Sequence, residues 1–342
     1  MIRVLIVGVG NMGLSHALAH HNHPESKIVG IVNRSMRALP AELSDYAMFT
    51  TFEAGMEAKP ELVVISTYPN SHAAIAISAM NAGAHVFVEK PLAMTMEEAT
   101  EIVKTSISRG RKLVVGYILR HHPSWVQFVK EARNLGGPYV FRMNLNQQSD
   151  GAEWETHKRL MQDVSPLIDC GVHYVDVMCQ ITDAKPIRVQ GIGLNLTDEI
   201  PEDMYNYGQL QVVFDDGSVG WYEAAWGPMI SETATFIKDV ISPNGSISIV
   251  DSQRDDSADI GGHTNVGGIL VHRRACDKKL EMQAEPGHQE LCDREQAYML
   301  RAIAENIDLS KHLSDAQSSL QICLAADESI RLGKSIEIFA PT

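Results

Sequence analysis

A short run, Ile2–Val7, apolar apart from Arg3, passes without a break into Gly8-Val9-Gly10-Asn11-Met12-Gly13, and a helical stretch follows over 12–21. No other feature restricts the fold of this chain as much. Strand, glycine turn and helix in that order open a βαβ unit. Gly8 permits a tight turn, Gly10 lets a phosphate approach the backbone, and Gly13 lets helix and strand pack closely. The start of such a helix offers free N–H groups and partial positive charge. Gly8, Gly10, Asn11, Met12 and Gly13 are therefore expected to hold the pyrophosphate of a dinucleotide. The motif is weak in isolation and specific in this setting.

The texture of the first 120 residues supports that reading. Apolar runs rich in Val and Ile recur at 28–32, 62–67, 85–89 and 112–117. Helical segments are predicted between them, at 36–41, 52–58, 71–82 and 95–109. Continuous apolar strands alternating with helices imply a parallel sheet covered on both faces. Beyond residue 120 the pattern changes. A helix over 124–134 ends at Gly136-Gly137-Pro138, residues 139–147 alternate like a strand, and 165–181 has helical spacing. Residues 187–249 are strand-rich, with turn signals at Asp215-Asp216-Gly217 and Pro243-Asn244-Gly245. A polar loop is predicted over 253–266, strands over 270–275 and 280–283, and long helices over 289–306 and 314–332.

The predicted class is α/β. A doubly wound Rossmann domain over 1–120 precedes an α+β domain over 121–342 with a large, mostly antiparallel open sheet. The last helix is expected to pack back on the first domain. The open sheet face needs a cover, so a homodimer or homotetramer through that sheet is expected.

Composition excludes several classes. Lys and Arg number 29 against 43 Asp and Glu, a formal charge of −14, which disfavours nucleic-acid partners. No apolar stretch approaches the roughly 20 residues a membrane helix needs. The amino terminus shows no secretory cleavage pattern. The five cysteines are scattered without a CxxC pair, so they read as reduced thiols in a cytoplasmic protein. His16 and His20 have metal-ligand spacing, but no further ligand completes a set in the sequence, so no metal is expected.

A dinucleotide site of this type usually places a carboxylate at the end of the second strand, for the adenosine 2′-hydroxyl. Here the place reads Val32-Asn33-Arg34-Ser35-Met36. Arg34 can pair with a 2′-phosphate through its planar fork, and Asn33 and Ser35 can add hydrogen bonds. The pattern favours NADP over NAD. The competing reading leaves Arg34 solvated, with NAD held through Asn33.

The third strand ends in Ser66-Thr67-Tyr68-Pro69-Asn70-Ser71-His72, and further on stands Ala82-Gly83-Ala84-His85-Val86-Phe87-Val88-Glu89-Lys90-Pro91-Leu92-Ala93. With Leu167-Ile168-Asp169-Cys170-Gly171-Val172-His173 downstream, the chain closely resembles the Gfo/Idh/MocA family of oxidoreductases. It departs by having Tyr68 before Pro69, Ala84 where lysine is usual, and Ser165-Pro166 in place of a Gly-Gly pair. Ser165 and Pro166 remain a good N-cap and first helical residue.

The resemblance implies a catalytic group of Lys90, Asp169 and His173. It also implies cofactor contacts from Thr67, Tyr68, Pro69, Asn70, His72, Glu89, Lys90 and Arg120. For His72 a capping and packing role stands as the alternative, and for Glu89 a structural one. The chemistry of the residues agrees. Asp169 and His173 are four apart on a predicted helix and share a face. Histidine moves protons near neutral pH. Lys90 lies at the carboxyl end of a parallel strand, where open α/β sheets bind ligands.

The implied activity is hydride transfer between NADP or NAD and a sugar, an inositol-like polyol or a related polyhydroxylated carbonyl compound. Two other readings compete. One is a non-catalytic dinucleotide-binding regulator; the other is a reductase of a cyclic unsaturated compound. The presence of Lys90, Asp169 and His173 together favours the dehydrogenase.

Overall fold

The computed structural model describes residues 1–231, 236–250, 266–274, 276–282 and 285–338. The chain divides into two compact units. The first comprises Met1–Ile118 and Gly287–Gln317, and the second Leu119–Pro286 and Ser318–Thr342.

The first unit is built on six parallel strands. In chain order they and their helices are β1 Ile2–Val7, α1 Asn11–Asn22, β2 Ser26–Val32, β3 Met48–Phe49, α2 Phe52–Met56, β4 Leu62–Ile65, α3 His72–Asn81, β5 His85–Glu89, α4 Met96–Arg109 and β6 Leu113–Gly116. The strand order is β3-β2-β1-β4-β5-β6, so the order reverses between β1 and β4. Val4 to Val7, Leu62 to Ile65 and Leu113 to Val115 are buried on both faces of the sheet, as their unbroken apolar character requires. Helix α4 starts where Thr95 accepts the Glu98 amide and the Glu98 carboxylate accepts the Met94 amide. It ends at Gly110 in the left-handed conformation (φ 59°). The expected helix over 36–41 is absent. That stretch runs to Pro40, and a single 3-10 turn follows at Ala41–Leu43. Instead, the Arg37 guanidinium reaches across to donate to the Val9 carbonyl (2.8 Å).

The second unit contains α5 Pro123–Leu135, β7 Val140–Gln148, α6 Gly151–Leu160, α7 Pro166–Asp169, α8 Gly171–Ile181, β8 Pro186–Leu194, β9 Tyr207–Phe214, β10 Val219–Gly227, β11 Lys238–Ser242, β12 Gly245–Val250, β13 Gly268–Arg273 and β14 Cys276–Glu281. Helix α9, His288–Ala304, returns to the first unit and packs on α1. Helix α10, Ser310–Leu332, crosses the division at Gln317, and β15, Ile336–Glu337, closes the second sheet. That sheet has nine strands in the order β14-β13-β12-β11-β7-β10-β9-β8-β15. It is antiparallel except for β7 beside β10.

Both turn signals sit where hairpins form, between β9 and β10 and between β11 and β12. Phe141, Met143, Leu210, Phe214, Tyr222 and Val240 fill one side of this sheet, against which α7 and α8 pack. On its other side Val140, Val219 and Ile241 are exposed neighbours on β7, β10 and β11. Nearly all of the polar loop expected over 253–266 lies outside the described residues.

Residues 151–160, to which the sequence assigns no element, form α6, which starts at Asp150, whose side chain accepts the Gly151 amide. One further expectation is corrected. Residues 165–181 form two helices rather than one. Ser165 caps α7 by accepting the Ile168 amide. The chain then tightens at Cys170, where the His173 amide bonds the Cys170 carbonyl (3.2 Å) instead of the one four residues back. Gly171 sits at this junction because a Cβ there would press to 3.1 Å from the Tyr222 ring.

Candidate active site

The carboxyl ends of β1, β2, β4 and β5 lie along one edge of the parallel sheet, and the sequence-predicted residues of the first unit follow directly from them. Each glycine of the first turn meets a different demand. Gly8 has φ 90°, and a Cβ on it would lie 2.5 Å from the Ser66 carbonyl. A Cβ on Gly13 would lie 2.0 Å from the Gly8 carbonyl. Gly10 is different, because a Cβ there would meet nothing within 4 Å. Its backbone faces open space at the start of α1. No side chain caps that helix, and no acid sits in its first turn. Those features fit the pyrophosphate of a nicotinamide dinucleotide, whose charged non-bridging oxygens need bare backbone and free N–H groups.

Asn33, Arg34 and Ser35 follow β2. The Asn33 side-chain Nδ2 donates to the Ser35 carbonyl (2.7 Å) and shapes that turn. Arg34 is exposed, with no ion pair among the described residues. The sequence reading missed Arg37, whose guanidinium joins this turn to the glycine loop. Its position three residues after Arg34 was the available signal.

After β4, Thr67 and Ser71 share a hydroxyl hydrogen bond (2.7 Å) across a turn in which Tyr68 and Asn70 are exposed and Pro69 is half-buried. His72 is fully buried. Its Nδ1 faces the Pro91 carbonyl (2.9 Å) and its Nε2 the Thr67 carbonyl (3.1 Å). Burial lowers its pKa, and the two carbonyls oppose that shift. His72 therefore joins the loop after β4 to the loop after β5. Lys90 is half-buried at the end of β5 and precedes Pro91 through a cis peptide. Its amide donates to the Glu89 carboxylate (3.2 Å), and Glu89 is itself buried.

In the second unit, Asp169 ends α7 and His173 lies in the first turn of α8; both are half-buried. The Cys170 thiol between them donates to the Gln147 side-chain oxygen (3.2 Å), which also accepts the Trp226 indole N–H (2.7 Å). His157 of α6 stacks on Trp226 at 4.3 Å. Arg120 makes a two-pronged contact with the buried Asp176 carboxylate (2.8 and 2.6 Å), one turn beyond His173.

Comparison with known proteins identifies the family. The family described as "Oxidoreductase family, NAD-binding Rossmann fold" matches residues 2–117, and the "GFO/IDH/MocA C-terminal domain" matches 127–234. The chain belongs to the Gfo/Idh/MocA family of oxidoreductases. One relative is a UDP-N-acetylglucosamine 3-dehydrogenase of Acidithiobacillus ferrooxidans, 28% identical over 56% of this chain and 58% of its own length. Another is a scyllo-inositol 2-dehydrogenase (NAD(+)) of Bacillus subtilis, 26% identical over 72% of this chain and 73% of its own length. The first of these matches spans little more than half of the relative.

Among solved structures, the Acidithiobacillus enzyme superposes with a TM-score of 0.78 at 19% identity, covering 97% of this chain and 98% of that one. A myo-inositol 2-dehydrogenase of Lactobacillus plantarum superposes at 0.80 with 18% identity, covering 99% of each chain. These likenesses establish the fold of this family member. No helix among the described residues is long and apolar enough to cross a membrane.

Proposed function

We propose that this protein is a nicotinamide-dependent oxidoreductase of CH–OH groups, acting on a polyol or sugar. The observation that carries the reading is the open space at Gly10 on the same sheet edge as Lys90. The relatives named for inositol and for a nucleotide sugar support the substrate class. Residues 8–13, 33–35 and 67–70 would hold the dinucleotide, with Glu89 and His72 keeping the loops around it in place. When bound, the nicotinamide accepts or returns the hydride.

In this reading Lys90, Asp169 and His173 form the catalytic group. The Lys90 ammonium stabilises the oxygen as it gains negative charge. His173 takes the hydroxyl proton in oxidation and returns it in reduction. Asp169 binds a substrate hydroxyl and orients the group. Arg120, engaged by Asp176, sets the helix that carries His173.

NADP is favoured, because Arg34 is exposed beside the turn and no carboxylate stands there to repel a 2′-phosphate. Arg34→Ala is expected to weaken NADP binding about tenfold or more while sparing NAD; unchanged NADP binding refutes this preference. Association as a homodimer or homotetramer through the open face of the nine-stranded sheet is part of the proposal. A monomer in light scattering would count against it. With all five cysteines free, a reducing cytoplasm is the compartment proposed.

The activity is tested by offering sugars, inositols and other polyols with NAD and NADP and following the nicotinamide absorbance band. Turnover of at least one polyhydroxylated compound is expected. Tight dinucleotide binding with no turnover of any member of the panel would favour the regulator instead.

A further inference from the structure

Helices α1 and α9 bury a row of polar side chains against β5, and the chemistry proposed above does not use most of it. His16, His20, Gln296 and Glu295 are all at most 1% exposed. Their hydrogen bonds run in one direction. The His20 Nε2 faces the Gln296 side-chain oxygen (2.9 Å), and the Gln296 amide nitrogen faces His16 Nδ1 (3.0 Å). His16 Nε2 faces Glu89 Oε1 (2.6 Å), and Glu89 Oε2 accepts the Lys90 amide (3.2 Å).

With the Gln296 side chain in this orientation, one assignment of protons satisfies every link with both imidazoles neutral and Glu89 ionised. An amide nitrogen only donates, so His16 Nδ1 must accept. The His16 proton then sits on Nε2 and points at Glu89. Burial supports neutrality in His20, whose pKa falls to about 3.

A second carboxyl group fixes where the charge resides. Glu295 lies in the same buried row, and neither of its oxygens has a hydrogen-bond partner. Glu89 has two donors, the His16 ring and the Lys90 amide. Burial and the neighbouring Glu89 charge both push the Glu295 pKa well up. The pair therefore carries one negative charge, on Glu89. A cation is the rival occupant, since donor atoms of His16, Cys292 and Glu295 lie within 4.8 Å of one another. Both His16 nitrogens are already engaged, however, so a cation would have to break the chain of bonds.

We infer that His16, Gln296 and His20 are positioning residues that hold Glu89 ionised against the Lys90 amide and so fix the backbone from which Lys90 reaches the substrate. The inference rests on Lys90 being the catalytic amine. The charge on Glu89 also favours the ammonium form of Lys90. The other titratable groups around Glu89 are His16 and His20 on α1, Cys292 and Glu295 on α9, and His72 at the start of α3.

The test pairs Gln296→Met, which fills the space without bonding, with Glu89→Gln, which keeps the shape and removes the charge. In Gln296→Met, dinucleotide Kd and substrate KM are expected to stay within about twofold; in both variants kcat falls about 10- to 100-fold, the scale of a misplaced catalytic group. In Glu89→Gln the alkaline limb of the kcat–pH profile is expected to move to lower pH. Nitrogen-15 resonances of His16 in the wild-type protein supply a readout independent of activity. They should show the proton on Nε2. A proton on Nδ1, or wild-type kcat and pH profile in both variants, overturns the inference. If Gln296→Met does not fold, Glu89→Gln and the His16 resonances decide. Turnover at the wild-type rate in Lys90→Ala would instead remove the functional reading on which the inference stands.

Discussion

Alanine at position 10 and alanine at position 13 meet different surroundings. At Gly10 the added carbon enters open space, whereas at Gly13 it collides with the Gly8 carbonyl at 2.0 Å. Gly13→Ala is therefore expected to lower stability by about 1–3 kcal/mol or more, because backbone must move. Gly10→Ala is expected to leave the melting temperature unchanged and to raise the dinucleotide Kd about tenfold or more, since the methyl group occupies the ligand's approach. Thermal denaturation and calorimetric titration separate the two effects. A Gly10→Ala protein that binds NAD and NADP like wild type would remove the assignment of this loop. The open space at Gly10 and the close packing at Gly13 were legible in the sequence because they depend on local backbone. The link from Arg37 to Val9 was not, since it forms across 28 residues between a loop and a carbonyl.

At the scale of elements, the α7 cap illustrates how packing alters titration. Ser165 accepts the Ile168 amide and donates to the Asp327 carboxylate of α10 (2.8 Å), to which the Tyr205 hydroxyl also donates. Burial outweighs these two bonds and raises the Asp327 pKa to about 6. The folded protein then holds a proton that the unfolded chain releases near pH 4. Stability from this group is full below the unfolded pKa and is lost as pH rises through about 6. The loss amounts to roughly 3 kcal/mol. Asp327→Asn is expected to flatten the stability profile between pH 4 and 7 in denaturant titrations; a profile with the wild-type slope would contradict this origin.

Periodicity identified most elements, because the strands of the first sheet are uniformly apolar and α5 repeats Trp125, Phe128, Ala132 and Leu135 at helical spacing. It missed α6, where polar residues dominate and only Trp154 and His157 turn inward. It also ran α7 and α8 together, since the helical spacing continues through Cys170, where the helix breaks and Gly171 lies against Tyr222.

At the scale of the molecule, the site residues lie on a chain that leaves its first unit and returns to it. Gln296 reaches His16 from 280 positions away, and no local pattern reports such a pairing. The family motifs marked Lys90, Asp169 and His173 but not the buried row behind Glu89. The central claim is that these three side chains perform proton transfer and charge stabilisation on a substrate presented to a bound dinucleotide. Its most direct test is to titrate Lys90→Ala and His173→Ala with dinucleotide and then measure single-turnover hydride transfer with the compound that wild type converts. Both variants are expected to bind dinucleotide as wild type does and to lose about 10²- to 10⁴-fold in rate. Turnover at the wild-type rate in either variant would contradict the account.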